Sequence, residues 1–593
     1  MQIFPYLRQS SARFEEISRR INTAMFVLVA TVLVSLILEY GFYFPASVER
    51  MFEFVDVAVL FCFIVAQSVK FLLAPHRWEY VRERNFEYAL TLLLMLSLIA
   101  LAIIPEFFTG IARQWHLHGL SALFVLIAQI VIVLNLISTA VRFSRRITRL
   151  QIQPARLFIG SFVFVILLGT LGLLLPRATT GGIGFLDALF TSTSAVCVTG
   201  LIVVDTASAF TPLGKVIITL LIQIGGLGLM TFTTFFTLFS GRLSIKERVL
   251  MQDFLSRESL GEVRRTLWQI VSVTLIIEAI GAVLLYFSWD SAAFPSTREK
   301  VFSSIFHSVS AFCNAGFSLF SDNLAGPAAA MNMQVNLTVA GLIILGGLGF
   351  ITIVNVVSIR PWARAQSRLS HRLTAHSRVV LISSAVLLAA GMLLFYLIEY
   401  NNTLAGLNWW EKLLASFFQS VTTRTAGFNT IDIGAMAVPS TLLFLVLMFI
   451  GASPGSTGGG VKTTTVSLVF LSAINHVRGK SSIEIGNRRI LQSNVDRAAA
   501  ALFFSLVLVG LSVFFVSFFE PFPLLDVVFE CFSAMGTVGL SRGITFALSD
   551  PSKIVLILTM LIGRVGALTL MMALTRRAAL NRFDYPTEQI VVG

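Results

Sequence analysis

Charge is scarce in this sequence. Of 593 residues only 13% are charged, against 56% hydrophobic, and the mean hydropathy is +0.84. Soluble domains carry about a quarter of charged residues, so a string of ordinary globular domains is excluded. Long polar stretches are missing too, which leaves no room for a sizeable soluble catalytic domain. Cysteine is limited to Cys62, Cys197, Cys313 and Cys531, with no CxxC pair, so neither a disulfide nor a zinc framework has a basis. The one close histidine pair, His116 and His118, falls in a polar connection and reads as solvated loop rather than metal site. A cleavable leader is not expected either: the first apolar run, after Arg8, Arg13, Arg19 and Arg20, is too long and lacks a small-residue cleavage site.

What is abundant is apolar run after apolar run. They lie near 21–45, 54–74, 86–105, 119–141, 157–175, 213–240, 267–288, 333–356, 379–398, 440–473, 498–519 and 554–574. At roughly 20 apolar residues per span, this predicts an all-α polytopic membrane protein of about a dozen helices. With the N-terminus inside and one crossing per run, the inside segments hold 31 of the 44 basic residues but only 13 of the 31 acids. That bias places both termini in the cytoplasm and accounts for the net charge of +13 without a nucleic-acid partner.

Beyond residue 150 the chain repeats itself. SAVCVTGL (194–201), SAFCNAGF (310–317), VTTRTAGF (421–428) and SAMGTVGL (533–540) carry Gly200, Gly316, Gly427 and Gly539, separated by 116, 111 and 112 residues. Ten residues before each glycine stands Phe190, Phe306, Phe417 or Phe529, in an amphipathic stretch too short to cross, such as FLDALFTSTS. Repetition at a fixed period defines the unit: helix, short helix plus loop, helix. Irregular backbone at membrane depth is tolerated only where protein or a water-filled cavity covers it. Four such loops on one axis would supply rings of carbonyls that replace the hydration shell of an alkali cation.

The four loops, the glycine-rich inner helices and the C-terminal YPTEQIVVG (585–593) resemble the Trk/Ktr/HKT superfamily of cation transporters, and most closely the Ktr-type potassium-translocating membrane subunit of bacteria. The resemblance covers about residues 150–593. It implies four M1–P–M2 pore repeats in pseudo-fourfold arrangement, a homodimer of such pores in the cytoplasmic membrane, and a cytosolic nucleotide-binding regulatory subunit. The organisation expected is an accessory four-helix membrane region (1–150), then repeats at 151–250, 251–362, 363–485 and 486–593. The ion selectivity filter is expected at Val198-Thr199-Gly200, Asn314-Ala315-Gly316, Thr425-Ala426-Gly427 and Thr537-Val538-Gly539, coordinating through main-chain oxygens. In the family, serine in place of the first glycine accompanies sodium preference; Gly200 therefore implies potassium.

Outside the filter, Asp205, Asp322 and Asp432 follow the glycine by five or six residues, and the fourth repeat breaks the pattern with Arg542. A ring of acids could concentrate cations at the mouth; N-capping and loop solvation explain the same residues equally well. Asp187 and Asp526 are expected at the N-termini of the short helices, where the dipole favours negative charge. In the third repeat, IGASPGSTGGGVKTTT (450–465), with Gly451, Pro454, Gly455, Gly458, Gly459, Gly460 and Lys462, interrupts an apolar run that no unbroken helix could traverse. In the family this matches an intramembrane gate. A phosphate-binding P-loop is excluded by spacing, since Val461 precedes Lys462. Arg564, in the middle of the last apolar run, should seek polar partners at membrane depth, namely carbonyls near 455–460. The inner-helix motifs IGGLG (224–228) and LGGLG (345–349) either thin those helices or simply pack them.

The first 150 residues read as four spans. Their fourth run carries Arg142, Arg145, Arg146 and Arg149 only at its end, which favours a scaffold over a voltage sensor, whose charges must move through the field. The function expected is selective potassium uptake through a gated pore, with the basic loops 241–266 and 359–378 as docking surface for a cytosolic subunit. No tightly bound cofactor is expected beyond the transported potassium. Sodium-coupled symport or sodium transport is the alternative. A membrane enzyme would need paired ionisable groups within the spans, and besides Arg564 only Glu278 is intramembrane.

Overall fold

The computed structural model describes residues 154–240, 263–326, 329–357, 373–480, 483–485 and 488–574, with scattered positions between 17 and 92. The four-span reading of 1–150 and most of the basic loops lie outside the described residues.

The described chain is almost wholly helical, apart from one hairpin of Glu484–Ile485 with Arg488–Arg489. Its elements recur in one order: a lead helix, a short helix, an irregular turn and a return helix. The lead helices are Pro154–Leu173, Val263–Ser288, Ala375–Glu399 and Gln492–Phe519. The short helices are Phe185–Val196, Thr297–Phe312, Trp409–Thr422 and Leu524–Gly536.

The return helices are all interrupted. Pro212–Ser240 kinks at Gly228. Met333–Leu348 turns by 99° into Phe350–Val357 at Gly349. Val438–Phe449 and Thr463–Val477 flank the segment 450–462, and Asp550–Val565 gives way to Ala567–Leu574 at Gly566. Eight apolar runs between 157 and 574 were expected to cross. Among the described residues only Trp268–Ser288, Ala375–Glu399 and Gln492–Phe519, with the bent pair as a fourth, are each long and apolar enough. For three of the remaining four runs the breaks are the reason, since each fragment of a broken helix falls short of the roughly 20 residues a span needs; the fourth lies in the unbroken Pro154–Leu173, which is apolar only over Ile159–Leu173.

Burial runs opposite to that of a water-soluble protein. The lead helices present Leu168, Leu397, Phe514 and Phe518 outward, the last 75% exposed, while the short helices are buried over their C-terminal turns. Lead and short helices touch through glycine. A Cβ at Gly169, Gly281 or Gly391 would collide with the hydroxyl of Ser192, Ser308 or Ser420. Those hydroxyls donate to the lead-helix carbonyls of Ile166 (2.7 Å), Glu278 (2.7 Å) and Leu388 (2.8 Å). Each such bond satisfies a polar group that would be costly to bury unpaired. In the fourth unit Cys531 takes the place of that serine, and a bond of 2.7 Å between Ser512 and Thr559 joins the lead helix to the return helix instead.

Neighbouring units are laced together by polar contacts of the segments around the turns. Asp205 of unit 1 accepts from Ser321 of unit 2 (2.7 Å), Leu324 of unit 2 donates to Asn429 of unit 3 (3.2 Å), and Arg542 of unit 4 donates to Ile433 of unit 3 (3.3 Å). Lys553 of unit 4 pairs with Asp187 of unit 1 at 2.7 Å, which closes the circuit.

Candidate functional site: four buried turns and the segment beneath them

Among the described residues five non-glycine residues have positive φ, and four of them stand two places before the recurrent glycines: Val198 (56°), Asn314 (61°), Thr425 (70°) and Thr537 (49°). The glycines follow suit, Gly200 at 90°, Gly316 at 69°, Gly427 at 77° and Gly539 at 93°. Left-handed backbone is a genuine outlier for β-branched residues and costs of order 1–3 kcal/mol at each. Its repetition at four equivalent places marks a built feature.

Alternating handedness gathers successive N–H groups on one face. In unit 1, Thr199 N–H donates to Ser194 O (2.8 Å) and Gly200 N–H to Ser194 Oγ (3.0 Å); in unit 4, Val538 and Gly539 do the same with Ser533, at 2.8 and 3.0 Å. The carbonyls are left to the opposite face. There each turn meets the next: a Cβ at Gly200 would strike Ala315 O, at Gly316 Ala426 O, at Gly427 Val538 O and at Gly539 Thr199 O. Thr199, Ala315, Ala426 and Val538 are all 0% exposed. Among the described residues no hydrogen bond is made to their four carbonyls. Buried carbonyls are paired in the great majority of cases, so four equivalent unpaired ones, each set against the glycine of the next turn, stand out.

Unit 3 departs from the others by one residue. Its buried phenylalanine is Phe418, at 0%, while Phe417, expected in that place, is only partly buried. Ser420 and Thr422 likewise stand one step nearer the glycine than Ser308 and Ser310, and Ala426 N–H reaches back to Thr422 O (3.0 Å) where Ala315 N–H reaches Ser310 O (2.7 Å). The turn of unit 3 is shorter by one residue, and its short helix shifts register to keep the glycine in place.

Under the turns lies the segment 450–462. Ile450 and Val461 form an isolated parallel bridge, with Gly451 N–H donating to Val461 O (2.9 Å), which closes the segment into a loop. Ser453 N–H donates to Gly347 O (3.0 Å), Thr457 N–H to Gly346 O (3.2 Å), Phe350 N–H to Gly455 O (3.0 Å) and Gly460 N–H to Gly563 O (3.2 Å). Thr457 Oγ1 donates to Phe312 O (3.0 Å) and Gly459 N–H to Thr537 Oγ1 (3.1 Å). A Cβ at Gly458 or Gly459 would strike Thr425 or Thr537, so the segment abuts the first residues of two of the turns. Arg564 donates to Thr457 O with one Nη and to Gly225 O with the other, tying the segment to units 1 and 4. Lys462 Nζ donates to Gly458 O (2.7 Å) within the segment itself. Pro454 and Gly455 face unit 2, where Pro454 O stands against Gly349.

The outer acids do not form one group. Asp205 N-caps Thr206–Ala209, accepting from Ala207 N–H (3.0 Å) and Ser208 Oγ (2.6 Å) as well as from Ser321. Burial opposes ionisation of Asp205, but these donors outweigh it and hold its carboxyl below the usual carboxylate range. Asp432 accepts from Gly434 N–H (2.8 Å), and Asp322 lies against Gly326. Asp187 and Asp526 occupy first turns of short helices, each matched by a cation: Lys553 for the former, Arg542 Nε at 2.6 Å for the latter.

The breaks in the return helices carry a signal read only in part from the sequence. Ile224-Gly225, Leu345-Gly346, Ile450-Gly451 and Ile562-Gly563 are each followed, three residues after the glycine, by Gly228, Gly349, Pro454 and Gly566. IGGLG and LGGLG are thus two of four such motifs. A Cβ at Gly225, Gly346 or Gly563 would strike Val196 O, Phe312 O or Met535 O at the end of its own unit's short helix. Arg564 occupies the place of Gly226 and Gly347. Arg542, which breaks the acid pattern, was seen without its role: it bonds Asp526, Thr441 (3.0 Å), Ile433 O and Gly434 O (3.2 Å), and so clasps unit 3.

Residues 124–581 match the family model described as TrkH, cation transport protein. The chain is 37% identical over 452 residues to Ktr system potassium uptake protein B of Bacillus subtilis, covering 75% of this chain and 97% of that one. It is also 37% identical over 461 residues to potassium/sodium uptake protein NtpJ of Enterococcus hirae, with 75% and 98% covered. The crystal structure of the potassium transporter TrkH from Vibrio parahaemolyticus superposes with a TM-score of 0.59 at 18% identity, over 83% of this chain and 98% of that one, and shows the likeness of fold. The chain therefore belongs to the TrkH family of cation transport proteins, whose members are ion transporters and not enzymes.

Proposed function

We propose that the chain is the potassium-translocating membrane subunit of an uptake system, with Val198–Gly200, Asn314–Gly316, Thr425–Gly427 and Thr537–Gly539 as the filter of a single pseudo-fourfold pore. The reading rests on the four buried carbonyls of Thr199, Ala315, Ala426 and Val538, which are unpaired among the described residues and lie at the contacts where the four turns meet in a ring. A monovalent cation stripped of water would find there the oxygens its hydration shell had supplied, and the strained backbone is held so that they need not reorganise around it. The printed names of both relatives include potassium, which supports the choice of ion.

The segment 450–462 acts as the gate, held shut below the filter by Arg564 and by its bonds to units 2 and 4. A cytosolic nucleotide-binding subunit, docking on 241–266 and 359–378, would shift that equilibrium, in a homodimeric assembly of the cytoplasmic membrane with both chain ends inside. The second reading is sodium-coupled potassium uptake or sodium transport, favoured by the sodium in the name of the Enterococcus relative.

Gly200→Ser in proteoliposomes tests the filter. At φ 90° and against Ala315 O, a side chain must displace the turn, so potassium-over-sodium flux should fall at least about fivefold, in line with the strain energies involved. An unchanged ratio removes the assignment. Replacing external sodium by an inert cation separates the two readings, because sodium-coupled uptake would stop.

A further inference from the structure

Immediately before the serine that packs on each lead helix, the short helices share one slot. It holds Thr191, His307, Gln419 and, beside Cys531 in unit 4, Glu530. His307, Gln419 and Glu530 are each 0% exposed and Thr191 is 1%. Four buried polar residues in one slot need partners, and three of them find these beyond the turn, in the extended segment that leaves it.

His307 Nδ1 lies 2.8 Å from Ser303 O and 3.1 Å from Ser303 Oγ. Nε2 receives the Leu319 N–H at 3.4 Å and lies 3.1 Å from Ser318 Oγ. Phe320 stacks on the ring at 5.2 Å and Trp289 closes it edge-on at 5.5 Å. The single Ser318 proton goes either to the ring or to Asn323 O (3.1 Å), and Asn323, left-handed at φ 58°, donates its amide to Gly427 O of unit 3 (3.4 Å).

Glu530 works likewise in unit 4. One carboxylate oxygen accepts from Ser541 Oγ and from Arg542 N–H (3.3 Å), the other from Thr545 Oγ1 (3.0 Å). Ser318 and Ser541 each stand two residues after their glycine. In unit 3, Gln419 Nε2 donates to Thr430 Oγ1 (3.2 Å). Thr191 is too short for that reach and donates to Asp187 O in its own helix (2.8 Å).

We propose that His307, Gln419 and Glu530 are positioning residues for ion selection: three buried braces, from one slot of three units, that fix the extended segments leaving the turns and through them the turns themselves. The proposal rests on the filter reading given above. None of the three touches the ring itself. They act on the extended segments just outside it, and unit 1 holds its own exit through Asp205 instead.

The test compares potassium and sodium flux through purified protein in liposomes, normalised to protein incorporated. His307→Leu and Glu530→Leu should each lower the potassium-to-sodium ratio by about 3- to 10-fold, the equivalent of one lost buried hydrogen bond. His307→Gln and Glu530→Gln, which keep an acceptor, should restore most of it. Thr191→Val, equally buried but bonded only within its helix, should leave the ratio as it was. Should a leucine variant fail to reach the membrane, Ser318→Ala and Ser541→Ala remove the same bonds from the far side and should show the same loss. A wild-type ratio in the leucine and alanine variants overturns the proposal, as does an equal shift with Thr191→Val. Gly200→Ser run in parallel separates the failures: if it shifts the ratio while the brace variants do not, the braces alone are wrong.

Discussion

The four turns and the segment 450–462 are both irregular backbone at the centre of the chain, yet they are made differently. Each turn is brief, strained and repeated, with N–H groups spent on its own short helix and its middle carbonyl withheld. The segment occurs in one unit only, and it spends its bonds on its neighbours: Gly346 and Gly347 of unit 2, Gly563 and Thr537 of unit 4, and Gly225 of unit 1 by way of Arg564. A structure repeated four times fixes a geometry. One that occurs once and is held by contacts with all sides can have a second arrangement, provided those contacts are exchanged together.

The largest effect should come from the strained turns. In Gly539→Ala the new Cβ meets Thr199 O and stands 3.0 Å from Gly200 Cα, at φ 93°. Backbone strain and a backbone clash together place it among the substitutions that cost more than about 4 kcal/mol, and transport should be abolished. Gly341→Ala and Gly510→Ala sharpen the contrast. Both glycines lie in helices with no heavy atom within 4 Å of the added carbon, so alanine, the better helix former by about 1 kcal/mol, should leave flux intact and stability unchanged or raised. Equal tolerance at all three positions would mean that the turns are ordinary loops.

Next in size is Arg564→Gln. It removes the charge-assisted donors to Thr457 O and Gly225 O, and hydrogen bonds of this kind contribute about 1.5–3 kcal/mol. If they hold the segment closed, resting potassium flux should rise by about tenfold or more, and shortening 455–460 should raise it in the same direction. With both changes combined the rise should be less than the product, since each releases the same element. A fall in flux would place Arg564 among the residues that build the conduction path.

How far such differences are legible in the sequence depends on which property carries them. The glycines of the turns are visible because no other residue tolerates both the positive φ and the neighbouring carbonyl, and spacing alone then reveals four units. The interruption at 450–462 is visible because proline and five glycines cannot continue a helix. The shifted register of unit 3 is hidden: Phe417 and Phe418 are adjacent and chemically identical, and only packing decides which is buried. His307, Gln419 and Glu530 are hidden for another reason. A shared slot filled by three different side chains has no pattern of residue type, only of position and bonding. Asp205, Asp322 and Asp432 mislead in the opposite way, being alike in type while bonded to unrelated partners.

Among those acids, Asp205 allows the smallest and most specific prediction, because it lies outside the membrane-spanning helices and joins unit 1 to unit 2. Burial disfavours its charged form, but the hydroxyls of Ser208 and Ser321 and the Ala207 N–H favour it more strongly, and its carboxyl sits below the ordinary value. A group with a depressed folded value stabilises the protein fully above its unfolded value, about 3.9 for aspartate. That stabilisation is lost as pH falls through the folded value. Wild type and Asp205→Asn, unfolded by heat in detergent across the acid range, should therefore differ near neutrality and converge toward low pH. Ser321→Ala should narrow the gap by removing only the bond between units. The effect is expected to be modest, since part of the carboxylate remains in contact with water, which weakens charge interactions there. A gap that stayed constant with pH would assign the difference to the cap of Thr206–Ala209 in either protonation state, and the charge at Asp205 would then have no part in holding the outer rims of the two units together.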